Sequence, residues 1–464
     1  MQPKLGAPRD RATIGMLPDP PPGAAVITPT LRHADPRRLL ADVLGGDVSA
    51  ATLSFAEELA IRRWCRQNAL SSAANIRRLH QRGHRKNARR ERVEHLRRQA
   101  VLVDALFVAA RKRWPVKSAH LQARREAQRQ QRLISVFAQV GKVGKFHRAA
   151  RGRQFEIMKR DGGTRRVTSF DWVDRARQHV LKSALHPFAS FHDGQFMHAH
   201  DKGRRGPAAV RKALLAALDG CCEDSLFMQF DVVDFYGSIS HDWLERQLGI
   251  DPAIVRRQLH TGGMTFKTIG EMTTVRDDHE ASSERDRRGI PQGSVISPLV
   301  ADHAMAAVLQ DAAVFEALPL FVWSDNVGII IPRVREREIG DLVRAAFADH
   351  GAGPFQLTSS SYPVMAPFKF LGVWYRKTPV GADAFVPWEV VSRWELSVGA
   401  RLMTCWDDEI DAIERAVAEK MSKWSWCPSA RETVSRLKAM IASRRETAIG
   451  SQTPIWPVRQ RNIA

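Results

Sequence analysis

Apolar and polar positions alternate in short blocks through the middle of the chain. Leu226–Val233 is an apolar run broken only by Gln229 and Asp231, which predicts a buried strand. Ser240 then stands where it can cap a helix over His241–Leu248. Ile296–Leu309 is apolar enough for a buried helix, and it follows a Pro-Gln-Gly turn. Leu318–Trp323 and Val327–Ile331 flank Ser324-Asp325-Asn326, a hairpin signal because Asp and Asn tolerate the backbone angles of tight turns. Phe368–Tyr375 reads as one more strand. Helical periodicity dominates on either side, over about Ser54–Arg151 and about Glu389–Arg445, the latter with Trp394, Trp406, Trp424 and Trp426. The first 34 residues are rich in Pro, Gly and Arg, with Pro18 and Pro20–Pro22 close together, and predict a flexible tail. The expected division is a tail over 1–50, a basic helical region over 51–150, a mixed helix-and-strand core over 151–376 and a helical region over 377–464. There is no internal repeat.

Composition sharpens this outline. A chain of 464 residues suggests several packed units, and 44% hydrophobic residues are enough to fold them. The formal charge of +21 points to a phosphate-bearing partner. No apolar run is long enough for a membrane helix, and Met1–Leu5 does not begin a secretory signal, so a cytoplasmic protein is expected. Cys65, Cys221, Cys222, Cys405 and Cys427 form no metal-type spacing and read as reduced, mostly buried thiols. Arg82, Arg85, Lys86, Arg89 and Arg90 lie in a helical stretch dense in one sign of charge. They are the candidate nucleic-acid contacts, since such density repels itself unless neutralised.

Asp231 ends one apolar strand and Asp325 lies at the tip of a hairpin. Two carboxylates meeting from different strands are what a two-metal phosphoryl-transfer site needs, and magnesium prefers such oxygens. Each aspartate alone is more often a turn residue; co-occurrence and order carry the assignment.

The central segment resembles the reverse transcriptases of bacterial retrons, group II introns and their defence-associated relatives, over about Phe155–Tyr375. Phe230–His241 is similar to the first palm motif and Gly289–Pro298 to the second, Gly-x-Pro-Gln-Gly-x-x-x-Ser-Pro. Trp323–Asn326 stands where the family has Tyr-x-Asp-Asp. The Lys159–Arg165 stretch resembles the fingers motif, Asp174, Arg175, Gln178 and Leu185–Pro187 the segment after it, and Phe368–Gly372 the primer grip.

The resemblance implies an α+β right-hand polymerase: fingers, a palm with an antiparallel sheet and a small helical thumb, preceded by the basic helical extension. It implies Asp231, Asp325 and Asn326 as catalytic, and Asp231, Val232 and Asp325 as ligands of Mg2+, with Mn2+ an alternative. It implies Lys159, Arg165 (or Arg166 if the register slips), Asp234, Phe235, Tyr236, Gln292 and Gly293 around the nucleotide, and Phe370, Leu371 and Gly372 at the primer. Tyr236, five residues after Asp231, would exclude a ribose 2′-hydroxyl and so favour deoxynucleotides.

Four departures stand out. Asn326 replaces the second aspartate of the pair, Trp323 replaces a tyrosine, and Asp302 stands where the second motif's helix often has Asn. The family's lysine before the primer grip has no counterpart over Gln356–Ser361. No His-Asn-His pattern or pair of Cys-x-x-Cys motifs suggests an intron endonuclease.

The expected function is an RNA-directed DNA polymerase acting with a structured, non-coding RNA, with deoxynucleoside triphosphates as substrates and DNA as product, in a retron-like or anti-phage defence setting. A template-independent nucleotidyltransferase and a catalytically degenerate RNA-binding protein are the alternatives.

Overall fold

A computed structural model of the chain describes residues 35–113, 122–158, 162–186, 191–196, 206–268, 287–404, 409–422, 424 and 427–450. Lys159, Arg160, Asp161, Pro187, Cys405, Trp406, Trp426 and the proline-rich stretch before Ala34 lie outside the described residues.

Three sheets organise the strands. β1 (Arg151–Met158) and β2 (Thr164–Phe170) form an antiparallel hairpin, and β4 (Thr265–Thr268) adds in parallel to β1. The second sheet has the order β5-β6-β3-β7, with β3 Ser225–Val232, β5 Leu320–Trp323, β6 Asn326–Pro332 and β7 Leu357–Pro363. All its pairings are antiparallel. The third is a meander of β8 (Phe368–Phe370), β9 (Val373–Thr378) and β10 (Gly381–Phe385). With its largest sheet wholly antiparallel, the fold is α+β, the class the resemblance implies.

β3 is central because it is apolar on both faces. Leu226, Met228 and Phe230 join the main core, while Phe227 faces a second core built from helix Pro207–Gly220 and the third sheet. There Phe227 stacks on Phe368 with ring centroids 4.4 Å apart and meets Phe370 edge-on at 5.2 Å. Gly328 on β6 makes room for this cluster: a Cβ there would lie 2.6 Å from Phe227 and 3.2 Å from Phe370. Close aromatic packing beneath the sheet therefore requires glycine at this position.

Three expectations are corrected. The run Phe368–Tyr375 is a hairpin, not one strand: Phe370 pairs with Val373, and Leu371 (φ 46°) and Gly372 (φ 78°) form the two-residue turn. Positive φ at both positions is the type I′ pattern, which suits the twist of the strands. The stretch assigned to a flexible tail up to residue 50 contains the helix Pro36–Gly45. Asp35 caps it with Pro36 in the first turn, and Leu39, Leu40 and Val43 anchor it in the main core. Among the thiols, Cys65 and Cys427 are buried but Cys222 is exposed beyond the end of helix Pro207–Gly220.

The N-terminal helices Phe55–Gln81, Arg85–Arg97 and Gln99–Arg113 pack onto helix Trp172–Leu185. At this junction His95 is fully buried, its Nδ1 2.9 Å from Ser72 Oγ and its Nε2 2.8 Å from Ser183 Oγ. Burial, helped by Arg98, lowers its pKa to about 4. Some of the basic charge here is held internally: buried Glu58 meets Arg62, Arg129 and Arg132 at 3.3, 3.1 and 2.6 Å. The C-terminal helices Trp388–Thr404, Ile410–Ser422 and Pro428–Gly450 form their own core around Trp394, Val398, Ile413 and Leu437. Among the described residues no helix is long and apolar enough to cross a membrane.

Candidate active site

The site is assembled where β3 meets the β5–β6 hairpin. Asp231, next to the last residue of β3, lies directly opposite Asn326, the first of β6. Trp323 pairs with Asn326, so Ser324 and Asp325 are the two loop residues. The left-handed position is Ser324 (φ 57°), not the Asp or Asn that sequence reasoning favoured. Positive φ at the first loop position alone matches a II′-type turn. The Val232 amide donates to the Asp325 carbonyl at 3.0 Å, tying the turn to the end of β3. Asn326 Nδ2 donates to Asp325 Oδ1 at 2.9 Å. Asparagine can thus orient the neighbouring carboxylate, which a second carboxylate could not do by donation.

Asp231 is exposed and Asp325 half-buried, whereas the Val232 side chain is buried, leaving only its backbone to contribute. Among the described residues no three His, Cys, Asp or Glu side chains gather as a metal cage. Asp231 near the end of β3 and Asp325 in the β5–β6 turn are nevertheless the donor type a hard divalent ion takes, because magnesium commonly uses one or two protein carboxylates and completes its shell with phosphate and water.

The chain beyond β3 turns sharply at Asp234 (φ 44°) into a short helix, Phe235–Ser238. Asp234 is exposed, and Phe235 is buried against Phe355 at 5.3 Å. Tyr236 is half-buried, and its phenol is hydrogen-bonded to the Ser324 side chain. Burial and the nearby Asp302 and Asp325 raise its pKa to about 12, partly offset by Ser324 and Arg165, so it stays neutral. Asp302, the residue that departs from the second motif, is buried beneath this corner.

The Gly289–Gly293 segment is bonded on two sides. Toward β3, the Gly289 amide donates to Ile239 O and the Ile290 amide to Tyr236 O, both at 2.8 Å; His241 Nε2 lies 2.8 Å from Gly289 O. Toward β2, the Thr168 amide donates to Gln292 O at 2.7 Å, and the Val295 amide donates to buried Gln178 Oε1 at 3.0 Å. Gly293 (φ 102°) has no room for a side chain: a Cβ would lie 2.3 Å from Thr168 O. This contact brings Gln292 and Gly293 to the β1–β2 hairpin that carries Arg165 and Arg166.

Met158 pairs with Thr164, the last pair of that hairpin. Arg165 and Arg166 are both exposed on β2 and point to opposite faces. Arg165 shares its face with Val167, whose Cγ1 lies 3.2 Å from the position of a Gly293 Cβ, and it is close enough to Tyr236 to affect its titration. The geometry therefore places Arg165, not Arg166, on the side of Tyr236 and Gly293.

Phe370 pairs across the turn of the third sheet formed by Leu371 and Gly372, and packs in the second core that also underlies β6. Arg82, Arg85, Lys86, Arg89 and Arg90 are all exposed, in helix Arg85–Arg97 or just before it. The other face of that helix buries Ala88, Arg92, His95 and Leu96, and the Arg92 guanidinium donates to Leu248 O at the end of helix His241–Gln247. Sequence reasoning did not single out Ser324, Arg92 or Arg211. Arg92 lies four residues after Ala88 and three before His95, a spacing that could have marked the inward face; the other two are defined only by contacts distant in sequence.

The family model described as reverse transcriptase (RNA-dependent DNA polymerase) matches residues 157–374, so a reverse transcriptase domain is found in the middle of the chain. No curated protein matches the chain. Solved structures similar to it include a telomerase from Candida albicans in complex with a fragment of telomeric RNA. It is 11% identical with a TM-score of 0.35, over 67% of this chain and 58% of that one. Another is an apo telomerase from Candida tropicalis truncated from its C-terminal domain, 13% identical with a TM-score of 0.32, over 51% of this chain and 55% of that one. The chain thus spans a little over half the length of these two proteins.

Proposed function

We propose that this chain is an RNA-directed DNA polymerase that extends a primer on an RNA template with deoxynucleoside triphosphates. The observation that carries the reading is the β3–β6 register, which sets Asp231 opposite Asn326, with the Val232–Asp325 backbone bond closing the corner and Tyr236 beside it. Asp231, Asp325 and the Val232 carbonyl would hold Mg2+ or Mn2+. When bound, such ions supply the charge that stabilises the attacking and leaving oxygens of phosphoryl transfer.

The chain's own residues do the rest. Arg165 binds the triphosphate and draws charge toward the departing pyrophosphate, and Lys159 is proposed for the same role from sequence alone. Gln292 and Gly293 form a wall behind the incoming nucleotide, and Asp234 and Phe235 shape the turn beneath it. Tyr236 fills the space a 2′-hydroxyl would need, which favours DNA as the product. Asn326 holds the Asp325 carboxylate in place through its amide. Phe370, Leu371 and Gly372 support the primer end. The exposed face formed by Arg82, Arg85, Lys86, Arg89 and Arg90 binds the RNA backbone. A structured RNA partner and a retron-like or defence setting rest on the sequence resemblance.

The test is incorporation of deoxynucleotides on a primed RNA of defined sequence. The wild type should make DNA complementary to that RNA, and Asp231→Asn and Asp325→Asn should each lose at least about a thousandfold in rate while retaining RNA binding. Near-normal synthesis by either variant removes the assignment. Product whose composition ignores the template would instead identify a template-independent nucleotidyltransferase, and RNA binding without incorporation under any divalent metal would identify a non-catalytic protein.

A further inference from the structure

Arg211 occupies the junction of three units. It projects from helix Pro207–Gly220, and its Nε and Nη2 both donate to the carbonyl of Leu371, at 3.1 and 2.5 Å. Its guanidinium carbon also lies 4.7 Å from the ring centroid of Trp424. Trp424 packs against both the core beneath the palm and the core of the C-terminal helices, and meets Trp394 edge-on at 5.6 Å. Leu371 has φ 46°, a conformation unfavourable for a side chain of its size. The forked donor engages the carbonyl of this residue, and a planar guanidinium can make two such bonds while stacking on an indole; an ammonium cannot.

We propose that Arg211 is a positioning residue for primer binding: it clamps the Phe370–Gly372 turn to the base of the C-terminal helices, so that the primer end and those helices are held as one unit. This rests on the reading of that turn as the primer support. Arg211 is not placed to touch the reacting atoms. It acts through the Leu371 carbonyl on one side and the Trp424 ring on the other.

The experiment compares wild type with Arg211→Lys and Arg211→Gln on a primed RNA template. It measures primer–template affinity, product length in a single binding event and the KM for nucleotide. Arg211→Gln should weaken primer–template binding about tenfold and shorten products, with the nucleotide KM changed by less than about twofold; Arg211→Lys should fall between. Trp424→Leu should have a similar effect, and the double variant should be little worse than either single one, because both break the same clamp.

Unchanged primer affinity and product length in both Arg211 variants would overturn the proposal. So would equal losses in primer and nucleotide use that track a lowered melting temperature, since that is only structural damage. Gly372→Val, which strains the turn directly, separates the two ideas. If it impairs primer use while Arg211 variants do not, the clamp is wrong and the primer support stands. If it leaves primer use intact, the primer support itself is wrong.

Discussion

Replacing Gly293 by alanine tests the contact between the Pro291–Gly293 turn and β2. Gly293 has φ 102°, where a β-carbon costs on the order of 1–3 kcal/mol in backbone strain. The new Cβ would also sit 2.3 Å from Thr168 O, so the two segments must separate by about 1 Å to reach ordinary contact. That movement would stretch the 2.7 Å bond from the Thr168 amide to Gln292 O beyond hydrogen-bond range. Thr168 is buried, and an unpaired buried amide costs on the order of 1–3 kcal/mol. The sum, about 2–6 kcal/mol, is more than a local loop can absorb without moving. The cheapest response is for the turn to swing away from β2, which carries Gln292 away from the face that bears Arg165.

Steady-state incorporation with varied deoxynucleotide concentration should then show a nucleotide KM raised at least about tenfold. Primer–template affinity should change little, and the melting temperature should drop by several degrees. An unchanged KM together with an unchanged melting temperature would refute the reasoning, because the alanine would then have been accommodated without opening the contact. A lowered melting temperature with a normal KM would show that the turn does not border the nucleotide.

Three further outcomes are expected. Tyr236→Val should admit ribonucleotides, and the ratio of ribonucleotide to deoxynucleotide incorporation, unchanged in the variant, would show that Tyr236 is not the gate. Replacing Arg85, Lys86, Arg89 and Arg90 by Gln should reduce the slope of log affinity for RNA against log salt, by about 0.7–0.9 for each phosphate no longer neutralised; parallel slopes would exclude this surface from RNA binding. His95 has its pKa lowered by burial to about 4, so the unfolded chain takes up a proton there before the folded one does. Its contribution to stability is intact above about pH 6.5 and falls away progressively as pH drops toward 4, up to about 3 kcal/mol. Denaturant unfolding of wild type and His95→Gln across that window checks this, and equal pH dependence of the two would rule it out.

What sequence alone determined follows from local rules. The strand at Ser225–Val232, the cap at Ser240 and the Pro-Gln-Gly turn were legible because periodicity and capping depend on residues a few positions apart. Asp231, Asp325, Tyr236 and Gln292 could be singled out as candidates because their spacing matches a known family. Local rules also misled where one pattern fits two structures. The apolar run at Phe368–Tyr375 concealed a tight turn at Leu371-Gly372, since only packing of Phe370 and Phe368 on Phe227 fixes where the chain must reverse.

Tertiary structure decided the rest, by bringing distant segments together. It set Asp231 across from Asn326, gave the Asn326 amide a carboxylate to hold, turned Arg165 and not Arg166 toward Tyr236, and joined Arg211 to Leu371 160 positions away. It also separated charge from function among the arginines, burying Arg92 against Leu248 and gathering Arg62, Arg129 and Arg132 on Glu58, while Arg85, Lys86, Arg89 and Arg90 stay in solvent. A linear pattern records that a residue is charged; which arginines lose their water to a partner inside the protein depends on what the fold brings beside them.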